Sequence, residues 1–427
     1  MKTAGIIAEF NPFHKGHLYL IEKAREKGAD RIIVVMSGDF VQRGEPAVCD
    51  MHVRAEMALR SGADLVLELP VRFAAASAEK FAFGSVSILD SLGVTDSLIF
   101  GSESGNIDKL DEIADLLCRE PDEYRSALKN ALSQGLSFPA AREKAVASAM
   151  NYPVEELHEL MSGSNNILAL EYLKALKALD SKITPETVSR VGEGYHGNAK
   201  TSDKKTPFIS AESIRRKLLQ DAVANGTDTC DSVLEYVPGC IHELITESGC
   251  FDTPVGPSDL SMILQYLLHT LPEQDIYDSL GISGDLADRI IKNKNKFTDF
   301  TQFARDTATR SIPYSAVCRA LLCIVLRLKK EPADENSVKI SESTYSRPEY
   351  ARILGFRKES SSILRDISDH SSIPLISKAS DIKKYLSGNA YSHFMEDIRS
   401  AEIYEGILSN KKGRAFRPEL SRQIIRV

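Results

Sequence analysis

The sequence predicts an α/β fold built on a parallel, doubly wound sheet, followed by a mostly helical C-terminal region. Three observations predict it. Short apolar runs recur through the first hundred residues, at 5–10, 32–36, 65–69 and 97–100. The runs are continuous rather than alternating, which suits strands covered on both faces. Helical patterns fill the gaps between them, so the order is β-α-β-α-β-α-β, and ligands of such sheets sit at the carboxyl ends of the strands.

Each element has a local reason. Residues 17–27 place Leu20, Ile21 and Ala24 on one face and stop at Gly28, a residue suited to closing a helix. Asp50 caps a second helix that carries Val53, Met57 and Ala58 and ends near Gly62. Residues 77–91 give a third, and helical texture continues over 107–179. Residues 187–191 return to the sheet as a strand, and 211–218 form a helix. Further helices are expected at 260–271, 286–292 and 316–328, then a polar connection at 331–347 and short α/β pieces to the end. The chain therefore divides into 1–220, an α/β domain with a helical insertion, and 221–427, a mostly helical region.

At 427 residues the chain exceeds one ordinary core. Hydrophobic residues make up 43% and charged residues 26%, which supports packed cores and excludes a disordered chain. The formal net charge of −7 does not suit a nucleic-acid coat, so any such contact must come from a local basic surface. The seven cysteines (Cys49, Cys118, Cys230, Cys240, Cys250, Cys318 and Cys323) are odd in number and form no CxxC, which argues for free thiols. Glu9 interrupts the apolar run at 5–8, so the start does not read as a signal peptide, and no stretch reaches membrane-spanning length. A reducing cytoplasm is the expected compartment, with no membrane partner.

The first run leads into Ala8-Glu9-Phe10-Asn11-Pro12-Phe13-His14-Lys15-Gly16-His17-Leu18. Two histidines three apart, with glycine between them, open the first helix of a Rossmann-like unit. Gly16 lets the backbone approach a nucleotide closely. The helix amino end offers unpaired N–H groups and a positive dipole end to phosphates. The spacing puts His14 and His17 on one side of that end, where imidazole N–H donors stabilise charge growing on an α-phosphate under in-line attack. The bland alternative is a histidine cap with core packing. Downstream, residues 208–216 read as a helix start with Ser210 as N-cap and Glu212 and Ser213 in the first turn. Ser210, Ser213 and Arg215 are placed to hold β- and γ-phosphates, or they form a simple capped helix with a basic face.

The HxGH string and the later ISxxxIR-like element resemble the nucleotidylyltransferase superfamily related to class I aminoacyl-tRNA synthetases. A closer resemblance lies in Phe10-Asn11-Pro12-Phe13-His14-x-Gly16-His17, Met36-Ser37-Gly38-Asp39-Phe40-x-Gln42-Arg43-Gly44-Glu45-Pro46-Ala47, Phe100-Gly101-Ser102-Glu103, Ser164-Asn165-Asn166-Ile167-Leu168 and Arg190-x-Gly192-x-Gly194-Tyr195-His196. With scattered similarity through Arg352-Ile353-Leu354-Gly355-Phe356, these blocks resemble the bacterial tRNA(Met) cytidine acetate ligase family over most of the chain. The resemblance implies a Rossmann-like nucleotidyltransferase domain that activates acetate with ATP as acetyladenylate, Mg2+ accompanying ATP. It implies transfer of the acetyl group to the wobble cytidine of elongator tRNA(Met).

His14 and His17 are then the catalytic pair. ATP binding maps onto Ile7, Ala8, Glu9, Phe10, Asn11, Pro12, Phe13, His14, Lys15, Gly16, His17, Leu18, Tyr19 and Leu20, with Gly101, Asn165 and Arg190. No side chain is assigned as a metal ligand. Arg43 either orients the acetate carboxylate or pairs with Glu45 across its turn.

Two basic runs are candidates for RNA. Arg289, Lys292, Lys294 and Lys296 lie together without an acid, and Lys411, Lys412, Arg414, Arg417, Arg422 and Arg426 surround Phe416 with Glu419 alone opposing them. A solvated charged face is the alternative for each. Residues 307–314 are less basic than the family resemblance leads one to expect. The runner-up function is a small-molecule adenylyl- or cytidylyltransferase of the same superfamily, and a third reading is a nucleotide-sensing RNA-binding protein without turnover.

Overall fold

The computed structural model describes residues 1–190, 209–225, 231–332, 337–340 and 343–427. Gly192, Gly194, Tyr195, His196, Phe208 and Cys230 lie outside the described residues.

Strand β1 (Thr3–Ala8), helix α1 (Lys15–Glu26), β2 (Arg31–Ser37), α2 (Met51–Arg60), β3 (Leu65–Leu69), α3 (Ala78–Ser91) and β4 (Ser97–Ser102) alternate as the sequence predicts. Asp50 accepts from Val53 N at 3.0 Å, capping α2. Ser77 does the same for α3. Five helices follow β4, the last of them α4 (Ser164–Ala178), before β5 (Thr184–Ser189) pairs in parallel with β4. That strand starts three residues before the predicted one.

The order across these strands is β3-β2-β1-β4-β5, all parallel. The direction of winding reverses between β1 and β4, and a crevice at that reversal is where an open α/β sheet binds its ligand. Alternate residues serve opposite layers. Ile7, Ile33, Val35, Leu67, Leu98 and Phe100 pack toward α3 and α4. Ile6, Ile32, Val34, Met36, Val66 and Ile99 pack toward α1 and α2. A strand buried on both faces needs this continuous apolar pattern.

Helix α5 (Ala211–Asn225) adds Ile214 and Leu218 to the second layer. A helical module follows: α6 (Ser261–Thr270), α7 (Gly284–Asn293), α8 (Phe300–Thr307) and α9 (Tyr314–Leu326). Its core also takes in Phe40, Val71 and Leu408 from outside the module.

The division at residue 220 is corrected by the strands beyond it. Strand β6 (Ala351–Phe356) joins β3 antiparallel and carries β7 (Leu375–Ile376) and β8 (Ile425–Arg426) in parallel. The C-terminal stretch thus completes the N-terminal sheet; α10 (Gly388–Lys411) packs against α9, and its Phe394 and Ile398 share a buried cluster with Ile376 of β7. Arg352, inside β6, is buried and donates to Glu68 Oε2 at 2.8 Å and to Glu419. The pairing is non-local, and a charge in the middle of the run disguises it as a surface segment. The six described cysteines are free.

The strand ends at the crevice are gathered by one side chain. Arg54 on α2 is fully buried. It donates to Cys49 O at 2.9 Å, Glu9 O at 2.6 Å, Ser37 O at 3.1 Å and Gly38 O. Removing it leaves those carbonyls without a partner, each costing about 1–3 kcal/mol. Arg54→Ala is therefore expected to lower the stability by about 3 kcal/mol or more. A denaturant midpoint equal to wild type contradicts this.

Candidate functional site

The site starts at the cap of α1. His14 is the N-cap residue, extended at φ −144°. Its Nδ1 accepts from Gly16 N at 2.9 Å, and His17 Nδ1 accepts from His14 N at 3.2 Å. This is a capping box with two imidazoles in the places of the usual hydroxyl and carboxylate. The rings stack, with centroids 3.9 Å apart and planes 29° apart. Because each Nδ1 accepts, each neutral ring carries its proton on Nε2.

Burial first, then the charges of Arg190 and Arg215, hold His14 down at about 4. Burial, His14 and Arg190 hold His17 well below its ordinary value. The pair is therefore neutral near pH 7, and both Nε2–H groups are available as donors.

Gly16 has a packing reason beside the predicted one. A Cβ there would lie 2.7 Å from His14 Cε1, so the glycine makes room for the capping ring. The expected anion site at this helix end is corrected too. Lys15 N donates to Tyr236 O at 3.0 Å, Gly16 N to His14 Nδ1, and His17 N to His14 O at 2.9 Å. The first N–H groups of α1 are already paired, and recognition of phosphate at this end falls to side chains.

Behind the histidines lies an aromatic wall. Phe10 and Phe13 are buried, with centroids 4.9 and 5.5 Å from the His17 ring. Phe10 has φ +47°, an unusual conformation for a bulky residue that the surrounding packing must hold. Asn11 is buried before the cis Asn11–Pro12 bond; its Oδ1 accepts from Val48 N at 2.9 Å. Ile7, Leu18, Tyr19 and Leu20 pack into the cores, and Ala8 lies partly buried beside them. Glu9 Oε1 accepts from Gln42 N at 2.8 Å. Of the predicted 7–20 segment, much of the apolar part supports the site from behind. Lys15 is half-buried at the helix mouth.

The opposite bank is the end of β4 and β5. Arg190 N donates to Ser102 O at 3.1 Å. A Cβ on Gly101 would come 3.3 Å from Arg190 Cγ, so this glycine lets the arginine lie across the strand end. Glu103 then caps α4, accepting from Asn165 N at 3.1 Å, Asn165 Nδ2 at 2.7 Å and Asn166 N at 2.7 Å. Asn166 replies by accepting from Glu103 N and Ser104 N. Asn165 is therefore fixed by Glu103 with its amide oxygen turned away from that bond.

Helix α5 closes the third side. Ser210 Oγ accepts from Ser213 N at 3.2 Å, the predicted cap. Arg215 donates to Asn11 O at 2.8 Å and lies 3.8 Å from Glu45. Arg43 is corrected: its partner is Glu212 at 2.9 Å rather than Glu45, and both side chains are mostly exposed. Phe40–Val41 and Glu45–Pro46 pair antiparallel as a short hairpin, and Gly44 in its turn, at φ +80°, sits against the backbone of Arg319 on α9, where a Cβ would come within 2.3 Å, so the hairpin tip docks on the helical module.

His14, His17, Arg190 and Arg215 are thus brought together. Sequence reasoning missed Arg54, whose only signal was its place four residues after the Asp50 cap. Glu103 and Asn166 stand within the blocks that carry the family resemblance, but no role was read for them; they position the others.

The C-terminal basic run is mostly engaged within the protein. Lys411 pairs with Asp259 at 2.9 Å, Lys412 donates to Ser248 O, and Arg414 and Arg422 pair with the buried Glu405. Arg426 lies over the Phe356 ring. In the other run, Arg289 donates to Thr307 O and Lys294 pairs with Glu273, while Lys292 and Lys296 are exposed. No helix among the described residues is long and apolar enough to cross a membrane.

A Rossmann-type sheet with an HxGH cap between two arginines defines the class, a nucleotidyltransferase of the HIGH type, and the HIGH Nucleotidyl Transferase family model matches residues 1–418. Within that class, the chain belongs to the tRNA(Met) cytidine acetate ligase family. It is 37% identical to the tRNA(Met) cytidine acetate ligase of Thermoanaerobacter sp. (strain X514) over 95% of each chain. It is 36% identical to that of Acetivibrio thermocellus over 100% of each. The crystal structure of Thermotoga maritima TmcAL bound with alpha-thio ATP superposes with a TM-score of 0.86 at 30% identity, covering 100% of both chains.

Two outcomes follow for the histidines and one for the tail. Gly16→Ala displaces the His14 ring and is expected to reduce nucleotide activation at least 100-fold while the melting transition stays; activity within threefold of wild type contradicts the packing argument. In the free protein the His14 imidazole is expected to titrate near 4 by NMR. A depressed folded-state value means the unfolded chain binds more protons, so this group lowers stability as pH falls from about 6.5 toward 4 and has no effect above. A midpoint near 6.5 contradicts it. Arg414→Ala leaves Glu405 short of a partner and is expected to destabilise by about 1–3 kcal/mol, seen as a lower denaturant midpoint.

Proposed function

We propose that this protein is an ATP-dependent ligase that makes acetyladenylate and passes the acetyl group to the wobble cytidine of elongator tRNA(Met). One observation carries the reading: two neutral imidazoles present Nε2–H donors between Arg190 and Arg215 at the reversal point of the sheet. In the first step an acetate oxygen attacks the α-phosphorus of ATP, the bond to the bridging β-oxygen breaks, and pyrophosphate leaves. Both reactants are anions, so charge on the α-phosphate must be offset as the bond forms. Neutral donors that point at that charge stabilise the transition state more than the ground state.

The other roles follow from position. Arg190 neutralises phosphate charge beside the histidines. Arg215, with Ser210 and Ser213, takes the β- and γ-phosphates. The Asn165 amide oxygen accepts from the adenine amino group or a ribose hydroxyl. Mg2+ enters on the phosphates of ATP; among the described residues no three His, Cys, Asp or Glu side chains gather to hold a metal. In the second step the exocyclic amine of cytidine attacks the acetyl carbon, AMP leaves, and the amine releases a proton. The compartment is the one where tRNA and ATP meet, the cytoplasm.

For the tRNA, the paired tail cations leave the helical module as the better candidate surface. Exposed Lys292, Lys296, Arg305 and Arg310 lie there. Each lost phosphate contact reduces the salt slope of binding by about one unit or less.

The test separates the steps. Wild-type protein with labelled acetate, ATP and total tRNA should yield labelled N4-acetylcytidine, AMP and pyrophosphate. Loss of His14 or His17 to Ala should abolish acetate-dependent ATP–pyrophosphate exchange far more than it weakens ATP binding. Arg190→Ala should weaken ATP binding by about 1.5–3 kcal/mol, the usual cost of a charge-assisted contact. Exchange at wild-type level in both histidine variants overturns the assignment.

A further inference from the structure

A cavity that shares no lining residue with the histidine site lies where several parts of the chain meet. Its volume is about 90 Å³. The segment leaving β3 contributes Arg72, the first turn of α3 contributes Lys80, and the chain leaving α9 contributes Glu331. The chain entering β6 adds Arg347 and Glu349, and α10 adds His393. Junctions between packed units are favoured places for small ligands. A polar cavity of this size has room for several waters or for one small polyatomic ion.

The charges around it are incompletely paired. Arg72 is already engaged: it donates to Glu331 Oε2 at 2.7 Å and to Lys329 O at 2.6 Å, and its Nε lies 2.8 Å from Glu396 Oε2. His393 occupies the remaining acid, with Nε2 2.7 Å from Glu331 Oε2 and Nδ1 3.0 Å from Glu349 Oε2. Among the described residues no carboxylate pairs with Lys80 or Arg347. The Lys80 Nζ has the Phe73 ring alone, 5.5 Å from its centroid. Lys80 also stands in the first turn of α3, the helix end where positive charge is unfavourable. Burial first, then the charge of Arg72, hold the Lys80 ammonium down at about 8, and Cys323, Glu331 and Glu396 offset this only in part. A shielded cation without a counter-charge costs free energy that an anion beside it would recover.

We infer that this cavity is a binding site for an oxyanion of phosphate size, held between Lys80 and Arg347. The guanidinium offers paired N–H donors to two oxygens, and the ammonium acts as a point charge. Arg72 and His393, tied to their carboxylates, shape the walls. The oxyanion is either free in solution or a phosphate group of bound tRNA, and the recognising chemistry is the same for both.

The test keeps the histidine site filled. Full-length protein is saturated with a non-hydrolysable ATP analogue and titrated with inorganic phosphate by calorimetry; tRNA binding is measured in parallel over a range of salt. Lys80→Met and Arg347→Met identify the source. Phosphate affinity at least tenfold weaker in both, with the tRNA salt slope kept, means a free anion. A salt slope lower by about one unit in both means an RNA phosphate. Lys80→Met removes an unpaired charge at similar length, so its melting temperature in phosphate-free buffer is expected to be no lower than wild type. If that variant fails to fold, Arg347→Met, at a partly exposed position, decides alone. Phosphate affinity within twofold of wild type together with an unchanged tRNA salt slope in the folded variants overturns the inference. So does the absence of phosphate binding in wild type when the tRNA slope is also unchanged.

Discussion

The buried guanidinium of Arg54 is the interaction on which the site depends. Its donors reach the carbonyls of Glu9, Ser37, Gly38 and Cys49, so one side chain fixes the chain leaving β1, the chain leaving β2 and the approach to α2. Loops at strand ends are free to move unless their backbone groups are satisfied. Here the loop that carries the histidines and the loop that carries the Gln42 hairpin are held from inside. Glu9 and Asn11 then lock the same loops to each other through Gln42 N and Val48 N. Precision at His14 and His17 is inherited from this buried framework.

The histidine pair turns a helix cap into a charge-stabilising device. Each ring uses Nδ1 for local structure, which fixes the tautomer and leaves Nε2–H for a ligand. Gly16 permits the arrangement, and Phe10 and Phe13 hold the His17 ring against it. Burial keeps the imidazoles neutral, and the nearby arginines add to that effect while supplying positive charge for phosphates. A preorganised neutral donor costs little reorganisation when charge develops.

Much of the catalytic half was legible in the residues. Continuous apolar runs marked β1 to β4, Asp50 marked the start of α2, and Ser210 marked the start of α5. The spacing of His14 and His17 announced that they share a helix end. It did not announce that their Nδ1 atoms are used by the backbone, because a cap and a ligand site share one sequence signature. Arg54 was illegible, since an arginine four residues into a helix reads as surface. Strand β6 was illegible for a related reason: Arg352 breaks its apolar pattern, and its partner Glu68 lies far away in the chain. The tail cations read as a free basic surface because their acids, Asp259 and Glu405, are distant or sit on the preceding helix face.

The central claim is that acetate oxygen attacks the α-phosphorus at the histidine cap before the acetyl group moves to RNA. Acetate labelled with 18O in both oxygens tests it most directly, by mass analysis of the AMP formed during tRNA acetylation. One 18O atom per AMP is predicted, because the attacking oxygen stays on phosphorus when the cytidine amine takes the acetyl carbon. AMP free of 18O contradicts the account.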